Sequence, residues 1–160
     1  MANDNLQARL STLAFSRNLS EKALTRLAEI STRNVYPAGS VIFKEGDSHL
    51  HLHVVVEGRV ALDMHVPTRG DVRILSLGSG ELLGWSPILG DNTMSATATC
   101  LKDTETVAIS AAPLVELCES DPEVGYQVMR QIVVAMSERL VATRLQLLDL
   151  FAETTPTPQG

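Results

Sequence analysis

The fold of this chain is decided by the stretch Pro37-Ala38-Gly39-Ser40-Val41-Ile42-Phe43-Lys44-Glu45-Gly46-Asp47. A second apolar run comes later in the chain and is followed by Glu57-Gly58-Arg59-Val60. Glycines bound these short apolar runs, and glycine adopts turn conformations that a Cβ atom opposes. Apolar runs of this length between turn residues are typical of β-strands. The stretch therefore predicts short strands joined by tight turns.

The same pattern extends from Val35 to about Ile109. Within it, Pro67-Thr68-Arg69-Gly70-Asp71 has the composition of a hairpin turn. The predicted strands are Val41–Phe43, Leu52–Val56, Arg59–Met64, Val72–Leu75, Ser95–Cys100 and Thr106–Ile109. Many short strands at regular spacing predict a sandwich or barrel of the jelly-roll type.

Helical patterns flank the strand region on both sides. Apolar spacing predicts a helix over residues 11–31, with Ser20 as a cap. After the strands, the pattern predicts a short helix over 113–118 and a long helix over about 123–151, which Pro122 begins. The predicted fold is therefore mainly β with flanking helices.

The domain organisation follows from these boundaries, because 160 residues suit one domain with one proper core. We predict a double-stranded β-helix (jelly-roll) barrel with an N-terminal helix and a long C-terminal dimerisation helix. The segments are an N-terminal helical segment at 1–34, the β-barrel core at 35–112, C-terminal helices at 113–151 and a disordered tail at 152–160.

The long helix carries an apolar stripe at alternating spacings of three and four residues, which is a heptad pattern. It consists of Tyr126 followed by the predicted dimer interface, Met129, Val133, Met136, Leu140, Thr143, Leu147 and Leu150. One alternative is an amphipathic helix packed on its own barrel. The stripe is longer than a compact barrel covers, so we predict a parallel coiled-coil homodimer.

Four motifs, in this order and ahead of a long helix, resemble the cyclic-nucleotide-binding domain superfamily, the sensor half of catabolite-activator-type regulators. They are Gly46-Asp47, Glu57-Gly58-Arg59-Val60, Ala96-Thr97-Ala98 and Glu105-Thr106-Val107-Ala108-Ile109-Ser110. The resemblance covers about residues 10–150. It implies a jelly-roll barrel in which residues 84–98 form a cassette that binds a cyclic phosphate.

Two positions of that cassette depart from the family's pattern. Trp85 stands where the family has a glutamate for the ribose hydroxyl, and Met94 stands where it has an arginine for the phosphate. Residues 82–100 contain no Arg or Lys. Loss of a charge-assisted partner for a buried phosphate costs about 2–5 kcal/mol. The resemblance therefore implies a nucleotide-like or other small ligand, whereas the residues predict no high-affinity binding of cyclic AMP.

Candidate ligand-binding residues come from the cassette and from the long helix, which passes over the pocket in the family. They are Gly84, Trp85, Ser86, Thr93, Met94, Ser95, Ala96, Arg139, Thr143 and Arg144. Two interpretations of Trp85 are open: it fills the pocket as a core residue, or it forms an aromatic wall for an apolar or planar ligand. The first interpretation is favoured. For Arg139 and Arg144, solvated positions beside Glu138 and Asp149 are the favoured interpretation.

His49, His51 and His53 alternate, so a strand would place them on one face. Three imidazoles could bind zinc, nickel or haem iron, which would make the chain a metal or haem sensor. The preferred interpretation is a solvated strand face without metal. No carboxylate pair, nucleophile elbow or Cys–His pair has catalytic spacing, so we predict no enzymatic activity.

Composition excludes several partner classes. A net charge of −6 opposes a nucleic-acid footprint, and no room for a helix-turn-helix domain follows Leu150, so direct DNA binding is not expected. No signal peptide or membrane-spanning stretch is predicted. Cys100 and Cys118 are expected to be buried thiols in a reducing cytoplasm.

These observations predict a stand-alone, cytoplasmic regulatory or sensor module that acts through a small ligand or a protein partner. The alternative of a different class is a structural or interaction protein whose pocket is occluded.

Overall fold

The structure is a computed structural model that describes residues 2–154, and its centre is a sandwich of two four-stranded antiparallel sheets. One sheet has the order β1-β8-β3-β6 and the other has the order β2-β7-β4-β5. The strands are β1 Ser31–Tyr36, β2 Val41–Phe43, β3 His51–Glu57, β4 Val60–Val66, β5 Gly70–Leu77, β6 Leu82–Leu83, β7 Thr97–Cys100 and β8 Thr104–Ser110. The jelly-roll prediction is therefore confirmed.

The hairpin between β4 and β5 forms at the predicted turn. Val66 pairs with Gly70, and Gly70 has a φ of 76°, a conformation that glycine adopts without strain. Each of the six predicted strands corresponds to an observed strand. The two strands absent from the prediction are β1 and β6, because β6 has only two residues and β1 begins where the helix was predicted to end.

The N-terminal region differs from the prediction of one helix over residues 11–31. Helix α1 Ala2–Thr12 ends early, a 3-10 turn follows, and α2 Glu21–Glu29 is a separate helix. The reason is local, since the Ser20 side chain accepts a hydrogen bond from the Ala23 N–H and starts a new helix there. The predicted cap is confirmed. Residues 31–34 belong to β1, which pairs with β8 along its whole length.

Helix α3 Ala111–Ser120 leads into α4 Pro122–Thr154. Asp121 caps α4, because its Oδ1 accepts hydrogen bonds from the N–H groups of Glu123 and Val124 at 3.2 and 3.5 Å. Part of the predicted disordered tail is helical in the structure, since α4 continues to Thr154. The rest of that predicted tail, residues 155–160, lies outside the described residues.

Two apolar clusters hold these elements together. The first joins the helices to the outside of the β1-β8-β3-β6 sheet and includes the buried residues Leu10, Phe15, Leu27, Leu52, Ile109, Leu114, Val128 and Ile132. The second fills the barrel and includes Phe43, Val55, Val60, Leu62, Leu83, Met94 and Ala98. The barrel cluster contains Met94, so the interior of the sandwich and the predicted cassette share one packed region.

Candidate ligand pocket

The cassette begins at Gly84, whose position only glycine can occupy without displacement of its neighbours. Its φ is 77°, and a Cβ atom there would lie 2.9 Å from the carbonyl oxygen of His51 and 3.4 Å from the Phe43 ring. The next residues turn sharply, because Trp85 precedes a 3-10 turn over Ser86–Leu89. Gly84 therefore lets the cassette leave β6 in close contact with β3.

Met94 occupies the interior of the pocket. Its side chain is only 3% exposed and packs in the barrel cluster. Its backbone is also fixed, because its N–H donates to the Asp47 carbonyl at 2.9 Å and its own carbonyl accepts from the Gly46 N–H at 2.8 Å. Met94, which we predicted to stand where the family has an arginine, is thus a core residue, and an apolar thioether side chain suits this position well.

The space that remains in the pocket is a cavity of about 50 Å³. Its lining consists of Phe43, Leu62, Leu83, Gly84, Trp85, Ser86, Met94, Ser95, Ala96 and Arg139. Pockets for drug-sized ligands and cofactors have volumes of roughly 300–1,000 Å³. The cavity therefore has room for a few waters or one small ion, and not for a nucleotide.

Arg139 reaches the pocket from α4, and the interpretation of it as a solvated position is wrong. Its guanidinium lies 3.8 Å from the centroid of the Trp85 ring and donates to the carbonyl oxygen of Leu82. Burial lowers the pKa of Arg139 to about 10, although the charges of Glu81 and Glu138 oppose this shift.

Trp85 and Arg139 also line a second, more open groove of about 500 Å³. The other lining residues are Val133, Met136, Ser137, Leu140 and Thr143, all from α4. The pair of stacked side chains therefore stands between the inner cavity and the outer groove. Trp85 is half-buried and packs against the helical cluster, so it forms part of the wall of both spaces.

The structure brings together seven of the ten predicted ligand-binding residues. Thr93 is exposed, and its N–H donates to Asp91 Oδ1 at 2.9 Å outside the cavity. Thr143 reaches only the outer groove, and Arg144 is exposed and lines neither space. The sequence did not predict Phe43, Leu62 and Leu83 as pocket residues, because their apolar spacing marks them only as strand core.

The three histidines converge beneath the cassette. The Nε2 atoms of His49 and His53 are 2.8 Å apart, and His53 Nδ1 lies 3.1 Å from the Thr106 hydroxyl. The ring centroids of His49 and His51 are 5.7 Å apart. The interpretation of a solvated strand face is wrong for His53, which is 1% exposed because it lies on the side of β3 that faces the barrel.

Burial lowers the pKa of His53 to about 3, with smaller effects from His49 and His51, and it also lowers the pKa of His49. The Phe43 ring is tilted by 47° against the His49 ring, with 5.0 Å between centroids. Phe43 also lines the cavity, so His49 contacts the pocket wall. Within residues 2–154, no group of three or more His, Cys, Asp or Glu side chains is placed to hold a metal ion.

Two further predictions concern the chain as a whole. Cys100 is buried and Cys118 is half-buried, and both are free thiols. Burial raises the pKa of each thiol. None of the helices in the described part of the chain combines the length and hydropathy that crossing a bilayer requires.

Comparison with known proteins gives consistent results. The chain is 33% identical over 119 residues to the cyclic AMP receptor protein of Thermus thermophilus. The matched stretch covers 74% of this chain and 50% of that relative. The chain thus spans about half the length of this relative and of the CRP-like cAMP-activated global transcriptional regulator of Mycobacterium tuberculosis. A lysophospholipase from Aspergillus fumigatus matches this chain at 26% identity over 63% of this chain and only 7% of its own length.

Solved structures show the same fold. The catabolite activator protein of Thermus thermophilus superposes with a TM-score of 0.68 at 27% identity, over 86% of this chain and 62% of that chain. A cyclic nucleotide-binding domain from Methylobacillus flagellatus superposes with a TM-score of 0.75 at 17% identity, over 98% of this chain and 86% of that chain. The sequence pattern of the cyclic nucleotide-binding domain family matches residues 33–121, which is more than half of the chain. The chain belongs to the cyclic nucleotide-binding domain family, whose role is regulatory.

Proposed function

We propose that this chain is a regulatory module that responds to a small ligand or a protein partner at its barrel, and that it is not a high-affinity receptor for cyclic AMP. The observation that carries the proposal is the burial of Met94 beside a cavity of about 50 Å³. A cyclic nucleotide would need several times this volume. Its phosphate would also meet a thioether at the position where the family has a cation.

Helix α4 is the element that we propose to carry the signal. It contacts the pocket through Arg139 and contacts β5 through Gln146, whose Nε2 donates to the carbonyls of Ile74 and Arg73 at 2.6 and 3.2 Å. A change in the pocket would therefore act directly on the position of α4. We propose no catalytic step for this chain.

A parallel homodimer through α4 is part of the proposal. The stripe that predicted it is open in the single chain, with Val133, Leu140 and Leu147 exposed by 62%, 54% and 50%. Contiguous apolar surface of this kind is a mark of an interaction site. A second copy is the simplest partner, because a two-fold contact requires only one patch. A cytoplasmic location and the absence of direct DNA contact also remain parts of the proposal.

The second candidate is an interaction protein whose pocket is permanently occluded. It is favoured by the stack of Arg139 on Trp85, because both side chains take up space at the wall of the cavity. The alternative of a metal or haem sensor has no such support among residues 2–154, because their histidine group is not placed to hold a metal.

Thermal unfolding in the presence of cyclic AMP and cyclic GMP tests the main proposal, with AMP as the matched control. A ligand that binds only the native state raises Tm with its concentration. We expect Tm to change by less than about 1 °C up to a large excess of either cyclic nucleotide. A rise of several degrees with one of them, and none with AMP, would contradict the proposal.

A further inference from the structure

His49 and His53 form a contact between two imidazole rings, which we call the histidine pair. Their Nε2 atoms are 2.8 Å apart, and the ring centroids are 5.0 Å apart. A hydrogen bond at this distance needs a proton on one Nε2 atom and a free lone pair on the other. Two imidazolium rings carry a proton on both Nε2 atoms, so the contact exists only while at least one ring is neutral.

The surroundings of the histidine pair do not compensate for two protons. His53 Nδ1 lies 3.1 Å from the Thr106 hydroxyl on β8, and the Tyr36 ring on β1 is 6.5 Å from the His53 ring between centroids. The ring of His51 lies 5.7 Å from that of His49 and would add a like charge. Within residues 2–154, no carboxylate forms an ion pair or a hydrogen bond with either ring of the pair. The charged residues on the segment that carries His49 are exposed to solvent, namely Lys44, Glu45 and Asp47.

His49 contacts both ends of the cassette. Its Cδ2 atom lies 3.8 Å from the position that a Cβ atom would take on Gly84, where the cassette begins. Its backbone N–H donates to the Asn92 carbonyl at 2.9 Å, near the end of the 3-10 turn region. A displacement of His49 therefore acts on the cassette directly.

Residues 46–49 are joined to residues 92–94 of the cassette by backbone hydrogen bonds. The Met94 N–H donates to the Asp47 carbonyl at 2.9 Å, and the Gly46 N–H donates to the Met94 carbonyl at 2.8 Å. A β-bridge between the same two segments adds to these bonds. The two segments form a short ladder, and this ladder carries the methionine that fills the barrel.

His53 stands on the other side of the contact, within β3. This strand pairs with β8 on one side and with β6 on the other, so His53 is fixed in the sheet. The histidine pair thus joins the sheet to the ladder that carries Met94. Separation of the two rings would draw Met94 away from the barrel cluster.

We propose that the histidine pair is a pH-sensitive switch that holds the cassette closed, and that protonation of both rings releases residues 46–49 and 92–94 and opens the pocket. The closed state opposes the second proton, whereas separated and hydrated rings accept it with ordinary affinity. Opening should therefore increase as the pH falls below 6.5, by up to about tenfold per pH unit for each proton taken up. Burial, followed by the neighbouring imidazoles, lowers the pKa of both rings in the closed state, in agreement with this direction. The inference goes beyond the proposed function, since it requires neither a ligand nor the α4 dimer.

Backbone hydrogen exchange of the full chain, followed by NMR between pH 7.5 and pH 5.5, tests the switch. Each rate is divided by the rate for an unfolded chain at the same pH, which removes the intrinsic effect of acid. We expect the protection of the Gly46, His49 and Met94 amides to fall by about tenfold over this range. It should also stay at least about tenfold below that of Ala61, a buried residue in the inner strand β4. Equal protection of all four amides at every pH would mean that only global unfolding occurs, and would overturn the inference.

His49→Gln is the variant that removes the conflict between two donors. It deletes one titrating ring, and the Gln side-chain oxygen can accept a hydrogen bond from protonated His53. The change in protection of Gly46 and Met94 with pH should be at least about threefold smaller than in the wild type. His65→Gln is the matched control, because it makes the same substitution at an exposed histidine on β4 and should keep the wild-type dependence. The same pH dependence in both variants would overturn the inference.

The histidine resonances of the wild type give a second measurement that needs no variant. The ring signals of His49 and His53 should change with the same midpoint as the loss of protection. The Met94 methyl signal should change with that midpoint too, because its side chain leaves the barrel cluster. Titration of both rings while the Met94 amide stays protected would show that the histidine pair does not control the cassette.

Discussion

The guanidinium carbon of Arg139 lies 3.8 Å above the ring of Trp85. Both residues are among the predicted ligand-binding residues, yet here they contact each other. A half-buried contact of this kind contributes about 0.5–2 kcal/mol. It ties the middle of α4 to the cassette, and these are the two elements that the proposed function requires to be coupled.

Replacement of the aromatic ring should weaken that link. We expect Trp85→Leu to lower the free energy of unfolding by about 1–3 kcal/mol, because it removes the cation–π contact and part of the packing against the helical cluster. Urea denaturation measures the effect. Leu89→Ala in the same turn is the control, since Leu89 is exposed, and it should change stability by less than about 0.5 kcal/mol. Equal effects of the two substitutions would show that the stack contributes nothing.

Restoration of the family's arginine should not restore the family's site. Met94→Arg would bury a guanidinium in an apolar cluster, so we expect a loss of at least about 3 kcal/mol in the free energy of unfolding. Thr93→Arg at the exposed neighbouring position is the control and should be nearly neutral. A stable Met94→Arg protein that binds cyclic AMP would mean that the pocket opens easily.

The glycine at the start of the cassette is expected to be essential for the local backbone. Gly84→Ala should cost about 2–4 kcal/mol, because it combines an unfavourable positive φ with a contact of 2.9 Å to the His51 carbonyl. Gly80 has a similar φ of 85° with no atom within 4 Å of a Cβ position. Gly80→Ala should therefore show the backbone cost alone, about 1 kcal/mol. If both variants lose the same stability in urea, the close approach of β3 is not a constraint.

The α4 stripe predicts how the chain assembles. We expect the double variant Leu140→Asp and Leu147→Asp to be a monomer or to unfold, because charges would face each other across the seam. The matched control is Val141→Asp and Leu148→Asp, which are also exposed but lie one position further around the helix. That control should still dimerise in sedimentation experiments. If the variant at Leu140 and Leu147 stays a dimer and the variant at Val141 and Leu148 becomes a monomer, the interface lies on the face of α4 that carries Val141 and Leu148.

The buried histidines predict a dependence of stability on pH. The pKa of His53 is about 3 in the folded chain, against an ordinary value of 6.5. Between these two values, His53 binds a proton in the unfolded chain and not in the folded chain. The contribution of this group to the free energy of unfolding should be at its maximum above pH 6.5. It should fall as the pH decreases toward 3, by up to about 1.4 kcal/mol per pH unit. His49 has a lowered pKa as well and adds in the same direction.

Urea denaturation between pH 7.5 and pH 4.5 measures this slope. His53→Asn should be less stable at neutral pH but should show a flatter dependence of stability on pH. His65→Gln is the control and should keep the slope of the wild type, because His65 is exposed on β4. An unchanged slope in His53→Asn would assign the acid sensitivity to other groups.

Local rules in the sequence account for most of the fold. Glycines and short apolar runs predicted six strands, Ser20 predicted a helix start, and the heptad spacing predicted a long helix with an exposed apolar stripe. The exceptions are also local in origin. A strand of two residues such as β6 leaves no periodic pattern, and β1 depends on its ladder with β8, far along the chain.

The sequence by itself determined the jelly-roll fold and the absence of Arg and Lys from residues 82–100, because turn chemistry, periodicity and residue identity can be read along the chain. Only the tertiary structure decided that Met94 fills the barrel, that Arg139 returns a cation to the cassette and that His53 is buried against Thr106. These outcomes depend on which side chains meet across distant segments and on the space left between them. Arg139 and Trp85 are 54 positions apart in sequence, and the packing of α4 against the cassette brings the guanidinium onto the ring.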